Sequence, residues 1–175
     1  MGGRRLWGFR AAYVLLTGLF VFAALLPFDP QPDGVPGPEL TFCLTCAWVL
    51  RRPDYVPIWL LIPVLLLQDA LMMRPLGLWT LITFLVTEYL RRRVDHSEAL
   101  PFWSEAALVS TWIVVAFGLD HVALLLLLAE PAPLSGLALQ ALATIVFYPP
   151  IAIFSQLIGV RRLAPGELDT LGSRA

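Results

Sequence analysis

The chain has 175 residues, of which 58% are apolar and 14% charged, with a formal net charge of −1 and a mean hydropathy of +0.77. A soluble domain carries roughly 45–50% apolar and about 25% charged residues, so the expected solvent is lipid and the expected organisation is a single polytopic domain over residues 1–175. That composition argues against a soluble enzyme or a disordered regulator; the 12 basic residues, all Arg and scattered in short clusters, give no cationic face for a nucleic acid.

Six apolar segments follow in chain order, at 11–26, 38–50, 55–73, 76–90, 103–128 and 135–159. A spanning helix needs about 20 apolar residues to cross roughly 30 Å. Open sheets do not span a bilayer, so each segment is expected to be helical. The expected fold class is all-α integral membrane: six transmembrane helices in one compact bundle.

Arg4, Arg5 and Arg10 precede the first segment in the manner of a secretory signal. Its end, Val21-Phe22-Ala23-Ala24-Leu25-Leu26-Pro27, lacks small residues two apart, so an uncleaved first span is expected. The loop behind it holds Pro27, Pro30, Pro32, Pro36 and Pro38, five of the 15 prolines, and reads as a stiff connector. No aqueous domain is expected on either side of the membrane.

The segment 38–50 rises only about 20 Å, short for a span. Arginine placement decides its path, because short Arg-rich loops stay cytoplasmic. If all six segments cross, Arg4, Arg5, Arg10, Arg51, Arg52, Arg91, Arg92, Arg93, Arg161, Arg162 and Arg174 lie inside and only Arg74 outside, 11 against 1. If 38–50 fails to cross, only Arg4, Arg5, Arg10 and Arg74 lie inside, 4 against 8. The expectation is six passes with both termini cytoplasmic. Trp48, Tyr55, Trp59, Tyr89 and Trp103 then fall near the inner interface, where amphipathic rings prefer to sit.

Cys43 and Cys46 share one helical face. A zinc site needs two further ligands; His96 falls in a loop, His121 in another span, and the chain has no second cysteine pair. The thiols are expected to pack as small apolar groups. Asp69, beside Gln68 in the outer half of the third span, is the most informative residue. A carboxylate near the membrane centre costs about 2.5–3.5 kcal/mol on mild insertion scales. It is a tie to a helix end or hydroxyl, a partner or ligand contact, or a proton relay, unless the helix ends early and leaves it at the outer surface. Arg74-Pro75-Leu76-Gly77 reads as a sharp outer turn. Pro75 suits the first turn of the next helix, and Gly77 allows another backbone to approach closely. Glu88 with Arg91 or Arg92 has the spacing of a helical ion pair.

Asp120 and His121 interrupt the fifth span after Gly118 and are candidate buried polar partners near the depth of Asp69. They are also the groups that a proton-coupled carrier or intramembrane hydrolase uses, although no nucleophile with a spaced base accompanies them. Tyr148-Pro149-Pro150 is expected to kink the sixth helix. The hydroxyls of Tyr148 and Ser155 are expected to help satisfy the freed carbonyls.

Pro38-Glu39-Leu40, Arg51-Arg52-Pro53-Asp54-Tyr55-Val56-Pro57, Gln68-Asp69 followed by Pro75-Leu76-Gly77, Glu88-Tyr89-Leu90-Arg91-Arg92-Arg93 and Phe147-Tyr148-Pro149 together resemble the rod shape-determining MreD family of bacteria. From 38 to 93 the likeness is in order and spacing; from 103 to 175 it is in length and hydropathy. Leu65 and Met73 stand where family members often have glycine.

The resemblance implies a non-enzymatic subunit of the cell-wall elongation machinery in the bacterial inner membrane, without cofactor or metal. The implied partners are the bitopic protein MreC and, through it, the peptidoglycan synthase pair and MreB filaments. A fold similar to the substrate-binding subunits of energy-coupling vitamin transporters is also implied. Gln68, Asp69, Pro75, Leu76 and Gly77 are the carried-over motif, as a partner-binding or fold-holding element. The alternative is a vitamin-like carrier subunit using Asp69, Asp120 and His121.

Overall fold

The structure, a computed structural model, describes residues 2–26, 37–96, 101–127 and 133–160. The proline-rich stretch 27–36 and the tail arginines Arg161, Arg162 and Arg174 lie outside them. The described residues form six α-helices and no strand: α1 Gly2–Leu25, α2 Leu40–Arg51, α3 Ile58–Leu71, α4 Leu78–His96, α5 Phe102–Leu126 and α6 Leu134–Leu157, with one 3-10 turn at Pro53–Tyr55. The order matches the six apolar segments. α1 starts earlier than hydropathy implies and carries Arg4, Arg5 and Arg10 within it, and α4 runs on through Arg91–Arg93 to His96. Arginine is a good helix former, so charge alone ends neither helix.

Proline sets several boundaries. α3, α5 and α6 each begin directly after a proline, at Pro57, Pro101 and Pro133, held in extended backbone. A proline lacks the N–H that a helix interior needs, so it stops backward growth. α6 nevertheless runs unbroken through Pro149 and Pro150. The hydroxyls expected to compensate are used elsewhere: Tyr148 Oη donates to Glu105 at 2.6 Å and Ser155 Oγ to the Ile151 carbonyl at 2.8 Å. Neither reaches residue 145 or 146, whose carbonyls the two prolines release.

α2 is the axis of the bundle. Every residue from Thr41 to Val49 is buried, with α1, α4, α6 and the 3-10 turn packed around it, α3 against α1 and α4, and α5 against α4 and α6. Trp48 is fully buried and meets the rings of Phe9, Tyr13 and Tyr55. Cys43 and Cys46 are free thiols packed in this core.

The exterior is apolar. Leu15, Leu19 and Phe22 on α1, Val114, Leu119 and Val122 on α5, and Leu142, Val146 and Leu157 on α6 are all exposed. Soluble monomers rarely leave apolar patches larger than a few hundred Å² open to water. The segments Gly3–Leu25, Phe102–Leu126 and Leu134–Leu157 are long and apolar enough to cross a membrane, whereas α2 and α3 are shorter apolar helices. The chain has the construction of a membrane protein.

Two ends can be distinguished. At the basic end the Asp54 carbonyl accepts from Arg10 at 3.2 Å, the Pro53 carbonyl accepts from Arg91 at 3.0 Å, and Phe9 stacks on Tyr55 at 4.4 Å. Glu88 pairs with Arg92 at 3.2 Å on α4, as its spacing predicts. The opposite end holds the start of α2, the turn between α3 and α4, and the facing parts of α5 and α6.

Candidate functional site

The turn end gathers most of the singled-out residues. α3 closes with Met73 in the left-handed region (φ 54°) and the Arg74 N–H returning to the Asp69 carbonyl at 3.0 Å, a Schellman-type closure. Gly77 follows at φ 88° and α4 begins at Leu78. The fully buried Asp69 reaches across this turn. Its Oδ2 accepts the Gly77 N–H at 3.0 Å, the Thr80 N–H at 3.2 Å and the Thr80 hydroxyl at 2.8 Å. A helix start leaves its first N–H groups without intrahelical partners, and a carboxylate there meets both the donors and the positive end of the helix dipole. Asp69 is thus the tie to a helix end and hydroxyl, one of the three roles its position allows.

The glycine acts differently from the sequence expectation. A Cβ built at Gly77 meets nothing within 4 Å, so no second backbone packs against it. What position 77 requires is its positive φ, which glycine adopts without strain.

Gln68, on the next face of α3, donates to Glu39 Oε2 at 3.3 Å, and Glu39 Oε1 is paired with Arg74. Glu39 is buried, and its backbone N–H donates to Thr144 Oγ1 at 3.1 Å. The start of α2, the end of α3 and the middle of α6 therefore meet in one polar layer. Sequence reasoning placed Glu39 only as part of a helix-opening motif. Its pairing with Arg74, 35 residues away, depends on the α3–α4 turn folding back over α2.

Among the described residues no hydrogen bond or ion pair joins Asp120 or His121 to Asp69. Asp120 and His121 line a cleft of about 140 Å³ with Arg74, Trp79, Phe117 and Gln140, between the α3–α4 turn and the α5–α6 pair. Arg74 lies over the Trp79 ring at 5.4 Å.

A second polar layer sits where α2 ends. Arg51 and Glu105 pair at 3.1 Å with side chains 0% and 2% exposed, Tyr148 donates to Glu105, and Arg51 Nη1 also donates to the Ala47 carbonyl at 3.0 Å. The sequence offered Arg51 as a cytoplasmic loop charge. Its burial follows from α2 being axial, with α5 and α6 closing over its last turn. Among the described residues no group of three or more His, Cys, Asp or Glu side chains is placed to hold a metal ion. Comparison with protein-family models, with curated proteins and with solved structures finds no match to the chain.

Proposed function

We propose that the chain is a non-catalytic scaffold of the bacterial cell-wall elongation machinery. It threads the inner membrane six times with both termini cytoplasmic and binds a single-spanning MreC-like partner. The resemblance of residues 38 to 93 to the MreD family motivates this reading. The observation that carries it is the hairpin built on Asp69. The five carried-over positions fall in one turn whose carboxylate serves the chain's own helix start, which suits a fold-holding element better than a reactive one. On the outward side of the same hairpin, Leu67, Leu71, Met73 and Leu76 are exposed, an apolar surface on which a partner helix can pack by van der Waals contact. The layout is supported by Arg10 and Arg91 meeting at one end while Arg74 lies at the other.

Co-expression with the MreC-like protein and affinity capture in mild detergent test the reading. Co-elution is expected, reduced when Leu67 and Leu71 are replaced together by Asn. Two folded proteins that never associate overturn it. A periplasmic C-terminal reporter fusion overturns the six-pass layout.

The cleft at Asp120 and His121 favours the carrier reading as a second possibility. Its volume of about 140 Å³ is below the roughly 300–1,000 Å³ of sites that enclose drug-sized ligands. Retention of a vitamin in native mass spectra would support the carrier.

A further inference from the structure

We propose that the cleft between the α3–α4 turn and the α5–α6 pair binds an organic ammonium group, with Asp120 as its counter-ion.

The charge balance selects the class. Arg74 lines the cleft and is tied to Glu39, so with Asp120 two carboxylates face one guanidinium and the cleft edge is net negative. Asp120 remains, beside an imidazole and the amide of Gln140. An anion in the cleft would face that carboxylate with the nearest guanidinium already engaged. A cation meets it directly, in surroundings where a charge pair is screened less than in water. Gln140 donates its amide N–H to the Gly37 carbonyl at 3.2 Å, which leaves its amide oxygen as a second acceptor for an ammonium. Trp79 and Phe117, 5.3 Å apart, form the apolar wall. The Trp79 face is already taken by the Arg74 guanidinium, so the rings supply apolar contact and the charge of the ammonium is met by Asp120 and Gln140.

Size and depth narrow the occupant. About 140 Å³ is small beside the roughly 300–1,000 Å³ of sites that enclose drug-sized ligands, which suits a group of a few heavy atoms such as an ethanolammonium or choline. Asp120 precedes the end of α5 at Leu126 by six residues, and Gln140 follows the start of α6 at Leu134 by six. At 1.5 Å per residue the cleft is recessed about 9 Å below those helix ends. Two sources of the same chemistry reach such a recess: a free amine from the aqueous side, or the headgroup of a phosphatidylethanolamine from the surrounding leaflet.

The test uses the full chain in nanodiscs of equimolar phosphatidylethanolamine and phosphatidylglycerol, with lipids retained on release measured by native mass spectrometry. In parallel, ethanolamine, choline and inorganic phosphate are titrated calorimetrically into the detergent-solubilised protein. Preferential retention of phosphatidylethanolamine assigns the lipid source, and saturable heat with the free amines assigns the soluble one. Asp120→Asn is expected to weaken whichever is seen at least about tenfold. Leu124→Trp, which fills the cleft without touching a charge, is expected to do the same and guards against a folding defect in the first variant. Equal retention of both lipids together with no amine heat overturns the proposal, as does binding of phosphate instead, or amine binding unchanged in both variants. No partner protein takes part, so the result is separable from the scaffold reading.

Discussion

Replacing Asp69 separates a capping role from a charge-dependent one. Asp69→Ala strips the acceptor from the Gly77 and Thr80 N–H groups and from the Thr80 hydroxyl. The hydroxyl can turn toward another acceptor, but the two backbone donors are fixed at the start of α4. An orphaned buried donor costs about 1–3 kcal/mol, so two of them give a loss of about 2–6 kcal/mol. That exceeds the roughly 1 kcal/mol of an ordinary exposed N-cap. Asp69→Asn keeps one oxygen at the Oδ2 position. Its amide nitrogen takes the place of Oδ1, which has no hydrogen-bond partner, so an unpaired donor replaces an unpaired acceptor. Asn caps helices about as well as Asp, and the expected loss is about 1 kcal/mol. Unfolding by SDS in mixed micelles, followed by far-ultraviolet circular dichroism, measures both variants. An Asn variant as damaged as the Ala variant would refute the reasoning, because the negative charge itself, rather than the acceptor, would then be what the protein needs.

Three further outcomes follow from the geometry. Gly77→Ala is expected to lose about 1–2 kcal/mol from its left-handed backbone alone, since the space around it is open; Gly77→Asn should lose less in the same unfolding assay, and a reversed order would point to sterics. Arg51→Met removes the buried counter-charge of Glu105 and should lose about 3–5 kcal/mol, whereas adding Glu105→Gln, which can still accept from Tyr148, should recover most of that loss in a double-mutant cycle. Cys43 and Cys46, buried at 0% exposure, should resist maleimide labelling in the native micelle and react once SDS unfolds the chain; rapid native labelling would show that α2 is not axial.

Helix number and order were legible from hydropathy, because long apolar runs bounded by Pro and Arg leave few other structures available to a chain in lipid. Asp69 was legible as a residue that must find a donor, since an unpaired carboxylate among apolar residues is costly in any fold. What it meets, the start of the very next helix, was implicit in the nearby Pro75-Leu76-Gly77 turn. Gly77 was read as a packing residue, yet its sequence neighbourhood is equally that of a left-handed turn, and only backbone geometry separates the two. Glu39–Arg74 and Arg51–Glu105 were illegible for a different reason. Each joins segments 35 or more residues apart, and no local period records which helix lies at the centre.

That central position explains how a helix as short as α2 is accommodated. Its 12 residues rise about 18 Å, far less than the roughly 30 Å of hydrocarbon. In contact with lipid, its ends would expose unpaired backbone groups at a depth where nothing satisfies them. Surrounded by α1, α4 and α6, it can use protein donors and acceptors at each end, and each polar layer supplies a contact to its backbone. At the start, Thr144 Oγ1 accepts the Glu39 N–H while Arg74 and Gln68 hold the Glu39 carboxylate. At the finish, Arg51 folds back on the Ala47 carbonyl and pairs with Glu105, which Tyr148 also supports. The spacing of the buried charges is therefore set by the length of α2, and charges that look like loop residues in the sequence become buried partners at its two ends.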